Sequence, residues 1–338
     1  MKKISVIAAL VLLSSNCYAN NILDSFFKTE DVKEQANNNE LSEQSLEKLE
    51  QLCLKENNPQ ACIKGCELNE KQSCGKLGYF YVKGEVLKQD YKLAKSSFEK
   101  SCELNDGKGC ANLGLLYAKG QGLNKDLQQA KLFWEKACDL KEGYGCLLVG
   151  QLYENGKEVK KELHKAISYY EKACELHNGL GCSALGLLYY AGNDIKQDYQ
   201  QARSYFEKAC NYNDGNGCAY LGHFYDTGKG VKQDYQQAIS YFNKACELND
   251  AKGCGSLGYL YSYGQDIRQA DYHQAKVYYE KACELKDGNG CAELAALYEY
   301  GKGARQDYKT AKEIYGKACD FGSQDGCDGY AKLNKQGF

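Results

Sequence analysis

The chain has 338 residues and a nearly balanced charge, with 43 Lys and Arg against 45 Asp and Glu, which gives a formal net charge of −2. Hydrophobic residues make up 43% and charged residues 26%, enough for an apolar core, so a largely disordered chain is excluded. The balanced charge gives no support for a nucleic-acid partner, which needs clustered Lys and Arg. The single long apolar run, at the N-terminus, excludes a multi-pass membrane protein.

Residues 1–19 have the pattern of a secretory signal peptide. Two lysines come first, residues 4–13 form an apolar segment too short to span a bilayer, and small residues at Cys17 and Ala19 suit cleavage after Ala19. A lipoprotein signal with Cys17 acylated is the alternative, but the polar residues before Cys17 do not suit it. The prediction is a secreted or periplasmic protein that has no transmembrane segment after cleavage.

Residues 20–40 are predicted to form a mobile N-terminal arm, and residues 41–73 to form N-terminal cap helices. The first half of the cap has a helical pattern, and Pro59 suits the first turn of another helix. Four cysteines lie in this region or next to it, and their spacing leaves two pairings open. These are Cys53–Cys62 with Cys66–Cys74, or Cys53–Cys66 with Cys62–Cys74.

From Cys66 onward the cysteines fall in pairs eight residues apart, and successive pairs start 36 residues apart, with one step of 37. A fixed period of this length over most of a chain is typical of a stacked repeat architecture. Cleavage of the signal removes one of the 19 cysteines and leaves 18, an even number. An even set at regular spacing is typical of disulfides in an oxidising compartment.

Each period is predicted to contain two helices, A and B. In one repeat, apolar residues recur at helical spacing over residues 218–225 in helix A and over residues 238–246 in helix B. Asp234, with Gln237 three residues later, gives helix B the start pattern of a capping box. Gly228 suits the left-handed residue that ends helix A.

Seven complete A–B units run from residue 74 to residue 319, and residues 320–338 are predicted to form a C-terminal cap. A single helix pair cannot bury its own apolar face, so the units are expected to stack into an all-α solenoid. Gly222 lies inside helix A, where Gly costs about 1 kcal/mol. Close approach of a neighbouring helix is the expected reason for this Gly.

The shared pattern L-G-x-L-Y-x-x-G-x-G-V-x-x-D-Y-x-x-A-x-x-Y-F-x-K-A-C resembles the Sel1-like repeat, a relative of the tetratricopeptide repeat. The Cys pair at each junction, together with the signal peptide, further resembles the Helicobacter cysteine-rich (Hcp) protein family. The resemblance covers roughly residues 66–327 and implies a right-handed superhelix of about seven disulfide-linked repeats. It also implies a slow β-lactamase or penicillin-binding protein, an expectation that rests on the family alone.

Two pairings are geometrically open for the repeat cysteines: Cys102–Cys110, which joins helix B to the next helix A, or Cys110–Cys138, which joins helix A to its own helix B. The first is favoured, because the eight-residue spacing persists where the A–B loop gains a residue and no Cys is left over. Zinc and redox sites need close C-x2-C pairs, which are absent, so we expect no metal and no cofactor. The predicted disulfide cysteines are Cys53, Cys62, Cys66, Cys74, Cys102, Cys110, Cys138, Cys146, Cys174, Cys182, Cys210, Cys218, Cys246, Cys254, Cys283, Cys291, Cys319 and Cys327.

One motif in the sequence is relevant to the expected β-lactam chemistry. Ser97 and Lys100 fit the S-x-x-K motif of serine β-lactamases, but S-D-N and K-T-G are missing. Residues 98–100 belong to the repeat pattern itself, because Tyr170-Glu171-Lys172 stands at the equivalent positions of another repeat. No catalytic residue is assigned, and enzyme activity is left open. The alternative function is a non-catalytic secreted scaffold that binds a peptide, a protein or a peptidoglycan fragment.

Three positions of helix A vary between repeats, at two, five and nine residues after its Cys; we call them positions +2, +5 and +9. Their spacing puts them on one helix face, and helix A lines the concave surface in tetratricopeptide-like stacks. Solvent exposure alone is one interpretation of this variation, and a binding groove for a peptide, protein, peptidoglycan or β-lactam ligand is the other. The groove hypothesis names as ligand-binding residues Tyr220, His223, Tyr259, Tyr263 and Tyr300.

Overall fold

The computed structural model describes residues 45–156, 159–264 and 270–338, and these residues form seventeen α-helices and no strands. The signal peptide and the N-terminal arm lie outside the described residues. The helices are α1 Leu46–Leu54, α2 Pro59–Glu67, α3 Lys71–Lys83, α4 Tyr91–Glu103, α5 Gly107–Lys119, α6 Leu127–Asp139, α7 Gly143–Asn155, α8 Leu163–Glu175, α9 Gly179–Ala191, α10 Tyr199–Asn211, α11 Gly215–Thr227, α12 Tyr235–Glu247, α13 Ala251–Tyr263, α14 Tyr272–Glu284, α15 Gly288–Tyr300, α16 Tyr308–Asp320 and α17 Gln324–Lys335.

The chain divides into two compact units. Of the described residues, unit 1 holds 45–152, 156 and 159–160, and unit 2 holds 153–155, 161–264 and 270–338. In both, the odd-numbered helices from α3 to α15 are A helices, and the helices that follow them are B helices, which gives the seven helix pairs that the period predicts. The A helices α3 and α5 of unit 1 contact each other, as do successive A helices from α9 to α15 in unit 2, and no pair of B helices among the described residues is in comparable contact. The A helices therefore form the inner layer.

Local signals fix where each helix starts and ends. Asp234 caps α12, because its side chain accepts hydrogen bonds at 3.0 Å from the backbone N–H groups of Gln236 and Gln237. Such a cap stabilises a helix by about 1 kcal/mol. Gly228 follows α11 at φ +69°, in the left-handed region where Gly avoids the steric cost of a side chain. Both predicted helix boundaries are confirmed.

Glycines allow the helices of one repeat to approach each other closely. A Cβ placed on Gly222 of α11 would lie 2.5 Å from the ring of Phe242 on α12, a distance that real Cβ contacts do not show. Gly186 and Gly258 meet the rings of Phe206 and Tyr279 in the same way. The expectation that a neighbouring helix explains the Gly inside helix A is therefore confirmed: an aromatic ring of helix B fills the space.

Nine disulfides link the helices, with Cα–Cα distances between 4.5 and 4.7 Å. Eight of them join the eight-spaced cysteines, so each connects the end of one helix B, or of cap helix α2, to the start of the next helix in the stack. The ninth is Cys53–Cys62, between α1 and α2. Of the two pairings left open for the cap, the structure has Cys53–Cys62 with Cys66–Cys74.

Replacing Gly222 with Ala is expected to lower the free energy of unfolding by about 1–3 kcal/mol, because the new methyl group must displace the Phe242 ring. The control is Gly316→Ala in α16, where the added Cβ would meet only the Tyr330 ring, at 3.4 Å. The control should be neutral or should raise stability by up to about 1 kcal/mol through helix propensity. Chemical denaturation measures both variants, and equal effects would contradict the packing argument.

Peptide mapping of the native protein is expected to find Cys210 joined to Cys218, with no free thiol among the eighteen disulfide cysteines. Each bond closes a loop of about nine residues and should contribute about 2–3 kcal/mol, so reduction should cause a large loss of thermal stability. A link between Cys218 and Cys246, or several reactive thiols in a native sample, would show that the pairing is wrong.

Candidate functional site

The inner layer of unit 2 exposes three of the predicted tyrosines. Tyr259 and Tyr263 lie one turn apart on α13 with their ring centroids 4.5 Å apart, and they are 43% and 59% exposed. Tyr300, at the end of α15, is 60% exposed. Burial of a tyrosine ring is normally favourable, so large aromatic side chains left on one layer form a surface suited to a partner. We call Tyr259, Tyr263 and Tyr300 the tyrosine patch.

Lys332 of α17 lies over the Tyr300 ring at 5.7 Å and holds the end of the stack in place. Its ammonium group pairs with the carboxylate of Glu299, which is buried and also accepts a hydrogen bond from the Tyr315 hydroxyl at 2.9 Å. This hydrogen bond and the ion pair compensate the cost of burying the Glu299 charge. The C-terminal cap therefore positions Tyr300 through a charged network that the sequence analysis did not find.

Tyr220 and His223, the other two predicted binding residues, are partly buried and already contact neighbouring side chains. The Tyr220 ring stacks on Phe206 at 4.6 Å with an interplanar angle of 3°, and burial raises the pKa of Tyr220. His223 Nε2 lies 3.2 Å from the Tyr190 hydroxyl, to which Lys229 donates a hydrogen bond at 3.0 Å. Because Lys229 can only donate, the Tyr190 hydroxyl is left to donate to His223.

Burial, followed by the charge of Lys229, lowers the pKa of His223, which keeps the ring in the neutral form that can accept this bond. Tyr190 and Lys229 were missed by the sequence analysis, since neither stands at a position that was compared between repeats. The one sequence feature that could have pointed to them is that Tyr190 directly follows the Tyr that is repeated in helix A.

The expectation that positions +2, +5 and +9 form one exposed face is wrong for much of the chain. At position +2, Lys76 is 1% exposed, and Asn112 and Leu148 are also buried. At position +5, Tyr79 and Leu115 are buried. The contact between Tyr220 and Phe206 shows the physical reason in unit 2: position +2 faces helix B of the preceding repeat, so it belongs to the junction.

An acidic group lies beside the tyrosine patch. Glu293 stands at position +2 of α15, and α15 packs against α13. Partial burial and then the charge of Asp325 on α17 raise the pKa of Glu293. Within the described ranges neither carboxylate forms an ion pair. The site therefore combines exposed aromatic rings with negative charge that has no ion-pair partner in the described residues.

The described residues assemble no catalytic centre around Ser97. Ser97 is 8% exposed, and its Oγ donates a hydrogen bond at 2.8 Å to the carbonyl of Leu93, one turn earlier. Lys100 lies near the carbonyl of Glu67 at 3.5 Å. A buried serine bonded to its own helix and a lysine directed elsewhere do not make an activated nucleophile.

The described part of the chain lacks two other features that would point to a function. It holds no group of three His, Cys, Asp or Glu side chains that could bind a metal ion. None of its helices is both long and apolar enough to cross a membrane.

Comparisons with known proteins agree with the repeat. The model of the family described as "Sel1 repeat" matches seven segments, which are residues 72–106, 107–142, 143–178, 179–214, 215–250, 251–287 and 288–323. A Sel1 repeat protein from Oxalobacter formigenes is similar, with 26% identity over 71% of this chain and 99% of that chain and a TM-score of 0.66. No curated protein matches the chain.

Two further solved structures are similar. A protective antigen of uropathogenic Escherichia coli strains with an SLR fold is 23% identical over 89% of this chain and 68% of that chain, with a TM-score of 0.62. Helicobacter pylori cysteine rich protein B is 41% identical over 41% of this chain and 99% of that chain, with a TM-score of 0.34.

Ser97→Ala is expected to leave any hydrolysis of a chromogenic cephalosporin by the oxidised protein unchanged within about twofold. Loss of a true nucleophile costs about 10⁴–10⁶ in rate. Circular dichroism of the variant controls for folding. A thousand-fold loss in a folded variant would show that Ser97 is catalytic.

Proposed function

Because the chain belongs to the Sel1 repeat family, we propose that it is an extracytoplasmic scaffold that binds a peptide or protein segment on the inner layer of unit 2. The observation that carries this proposal is the tyrosine patch. Tyr259, Tyr263 and Tyr300 offer large apolar rings with polar ends, the side chains that most often anchor protein interfaces.

The contrast with the repeated tyrosines of helix A supports this assignment. Tyr225 and Tyr261, seven residues after their Cys, stack on helix-B tyrosines Tyr241 and Tyr278 at 5.6 and 5.5 Å. Those rings serve packing within a repeat. Tyr259 and Tyr263 contact each other instead and leave much of their surface to solvent, so the fold itself gives no reason for aromatic residues there.

The disulfides support both the compartment and the binding mode. Nine disulfides persist only in an oxidising environment, which favours an extracytoplasmic location and agrees with the predicted signal peptide. They also fix the spacing of the A helices before a ligand arrives. A pre-formed surface loses less conformational entropy on binding, so a segment of modest size gains more affinity.

β-Lactam hydrolysis, which the resemblance to the Hcp family implies, has no support from the described geometry. The S-x-x-K serine is buried and bonded to its own helix, and no partner motif stands in the sequence. The proposal is therefore a binding function without catalysis.

Selection of a random peptide library displayed on phage against the oxidised protein is expected to yield peptides whose binding depends on Tyr259 and Tyr263. The double variant Tyr259→Ala, Tyr263→Ala should weaken them by about 1–4 kcal/mol, the scale of interface anchors, because the rings supply the contact area. Its melting temperature should stay nearly unchanged, since both side chains are exposed. Fluorescence polarisation and thermal unfolding provide the two measurements.

The matched control is Val277→Ala on α14, which removes a comparably exposed apolar side chain, 56% exposed, from a B helix of the same unit. It should bind the selected peptides like the unmodified protein. Unfolding of the double variant would assign both tyrosines to packing. Unchanged peptide binding by a folded double variant would place the working surface elsewhere.

A further inference from the structure

Unit 2 covers tyrosine rings with its own lysines. Among its described residues, eight lysine ammonium groups lie 5.1–5.7 Å from the centroid of a tyrosine ring. Lys208 over Tyr205 and Lys302 over Tyr272 are examples, at 5.4 and 5.1 Å. Such cation–π contacts are attractive because the ring face carries partial negative charge. A lysine on a tyrosine face therefore recurs in this unit, at eight of its 23 tyrosines.

Two exposed tyrosines of the unit, Tyr300 and Tyr330, have such a lysine over the ring, whereas the exposed Tyr259 and Tyr263 are not among the eight. Their rings are close, at 4.5 Å and an interplanar angle of 36°, and in the part of unit 2 that the structure describes neither ring has a lysine or arginine over it. Both side chains are exposed, Tyr259 by 43% and Tyr263 by 59%. The pair thus presents two tilted ring faces to solvent, with no lysine or arginine of the described residues over them.

The surroundings of the pair are negative. Burial raises the pKa of the Tyr279 hydroxyl, and Glu293, Tyr263 and Tyr259 lie near enough to raise it further. Glu293 therefore borders the same group as the two exposed rings. Burial and then the like charge of Asp325 raise the pKa of Glu293, and this carboxylate forms no ion pair within the described residues, so it lacks the compensation that a cation would give.

We propose that the segment bound at the tyrosine patch carries a lysine or arginine side chain, which lies over the Tyr259–Tyr263 pair with its charge toward Glu293. This inference rests on the proposed function and names the chemistry of the partner. A basic side chain suits both the rings and the carboxylate, since its methylene stem covers apolar ring surface while its charged end meets the carboxylate. An acidic segment would meet repulsion from Glu293 and Asp325.

The test uses two synthetic peptides, acetyl-Leu-Ala-Lys-Ala-Leu-amide and the same peptide with norleucine in place of Lys. Norleucine keeps the stem and removes the charge. Nuclear magnetic resonance titration of the full-length oxidised protein, followed at the Tyr259 and Tyr263 ring signals, gives both dissociation constants. The lysine peptide is expected to bind about five- to tenfold more tightly, the size of a partly desolvated cation–π contact with a nearby carboxylate.

Two variants complete a double-mutant cycle. Glu293→Gln should reduce the preference for the lysine peptide to less than about twofold, because the peptide charge loses its partner. Glu313→Gln on α16 removes one exposed negative charge from the same unit and should leave the preference unchanged, which controls for net charge.

Equal affinity of the two peptides at the tyrosine pair would overturn the inference while the proposed binding function stands. A lysine preference that persists in Glu293→Gln would also overturn it, since the charge would then be recognised elsewhere. If neither peptide shifts the Tyr259 and Tyr263 signals, the inference fails, and the phage selection decides the proposed function independently.

Discussion

The junction between one repeat and the next is the constraint on which the rest of the structure depends. At one junction Asn213 takes a left-handed conformation at φ +59°, and Cys210–Cys218 closes the turn. A Cβ on Gly217 would lie 2.5 Å from the Cβ of Ala209, so helix A begins in direct contact with the helix B before it. The turn has little freedom left, and this fixes the angle at which each repeat meets its neighbour.

A buried carboxylate completes the same junction. Asp214 lies before α11, and its side chain accepts a hydrogen bond from the Ser183 hydroxyl on the preceding A helix. Burial raises the pKa of Asp214 to about 6, although the bond from Ser183 opposes the rise. Covalent, steric and polar restraints thus act at one place and set the spacing of the A helices. Within unit 2, the inner layer is consequently a surface whose side chains differ between repeats while the junctions that hold its helices stay the same.

The sequence could predict most of the fold, because the restraints of the junction recur in it. The cysteine spacing, Asp234 and Gly228 gave the helix boundaries, and Gly222 gave the close contact inside a repeat. The site was only partly predictable. Helical spacing shows which residues share a face, yet it does not show what faces them, so the burial of position +2 against the preceding helix B was missed. The hydrogen bonds that engage His223 join separate repeats, and no local pattern encodes them.

The difference between positions that face the core and positions that face solvent also explains where binding residues can stand in such a stack. Core positions such as Leu257 serve the fold of every repeat, and glycines such as Gly258 must leave room for a ring. Position +9 lies at the last turn of helix A, beyond these contacts, and carries Thr227 in one repeat and the exposed Tyr263 and Tyr300 in later ones. A substitution of the exposed Tyr263 leaves the junctions intact, because its side chain lies outside them. Aromatic residues at this position therefore change what the surface binds without changing the scaffold, and the disulfide-fixed spacing holds them at a constant distance for a partner.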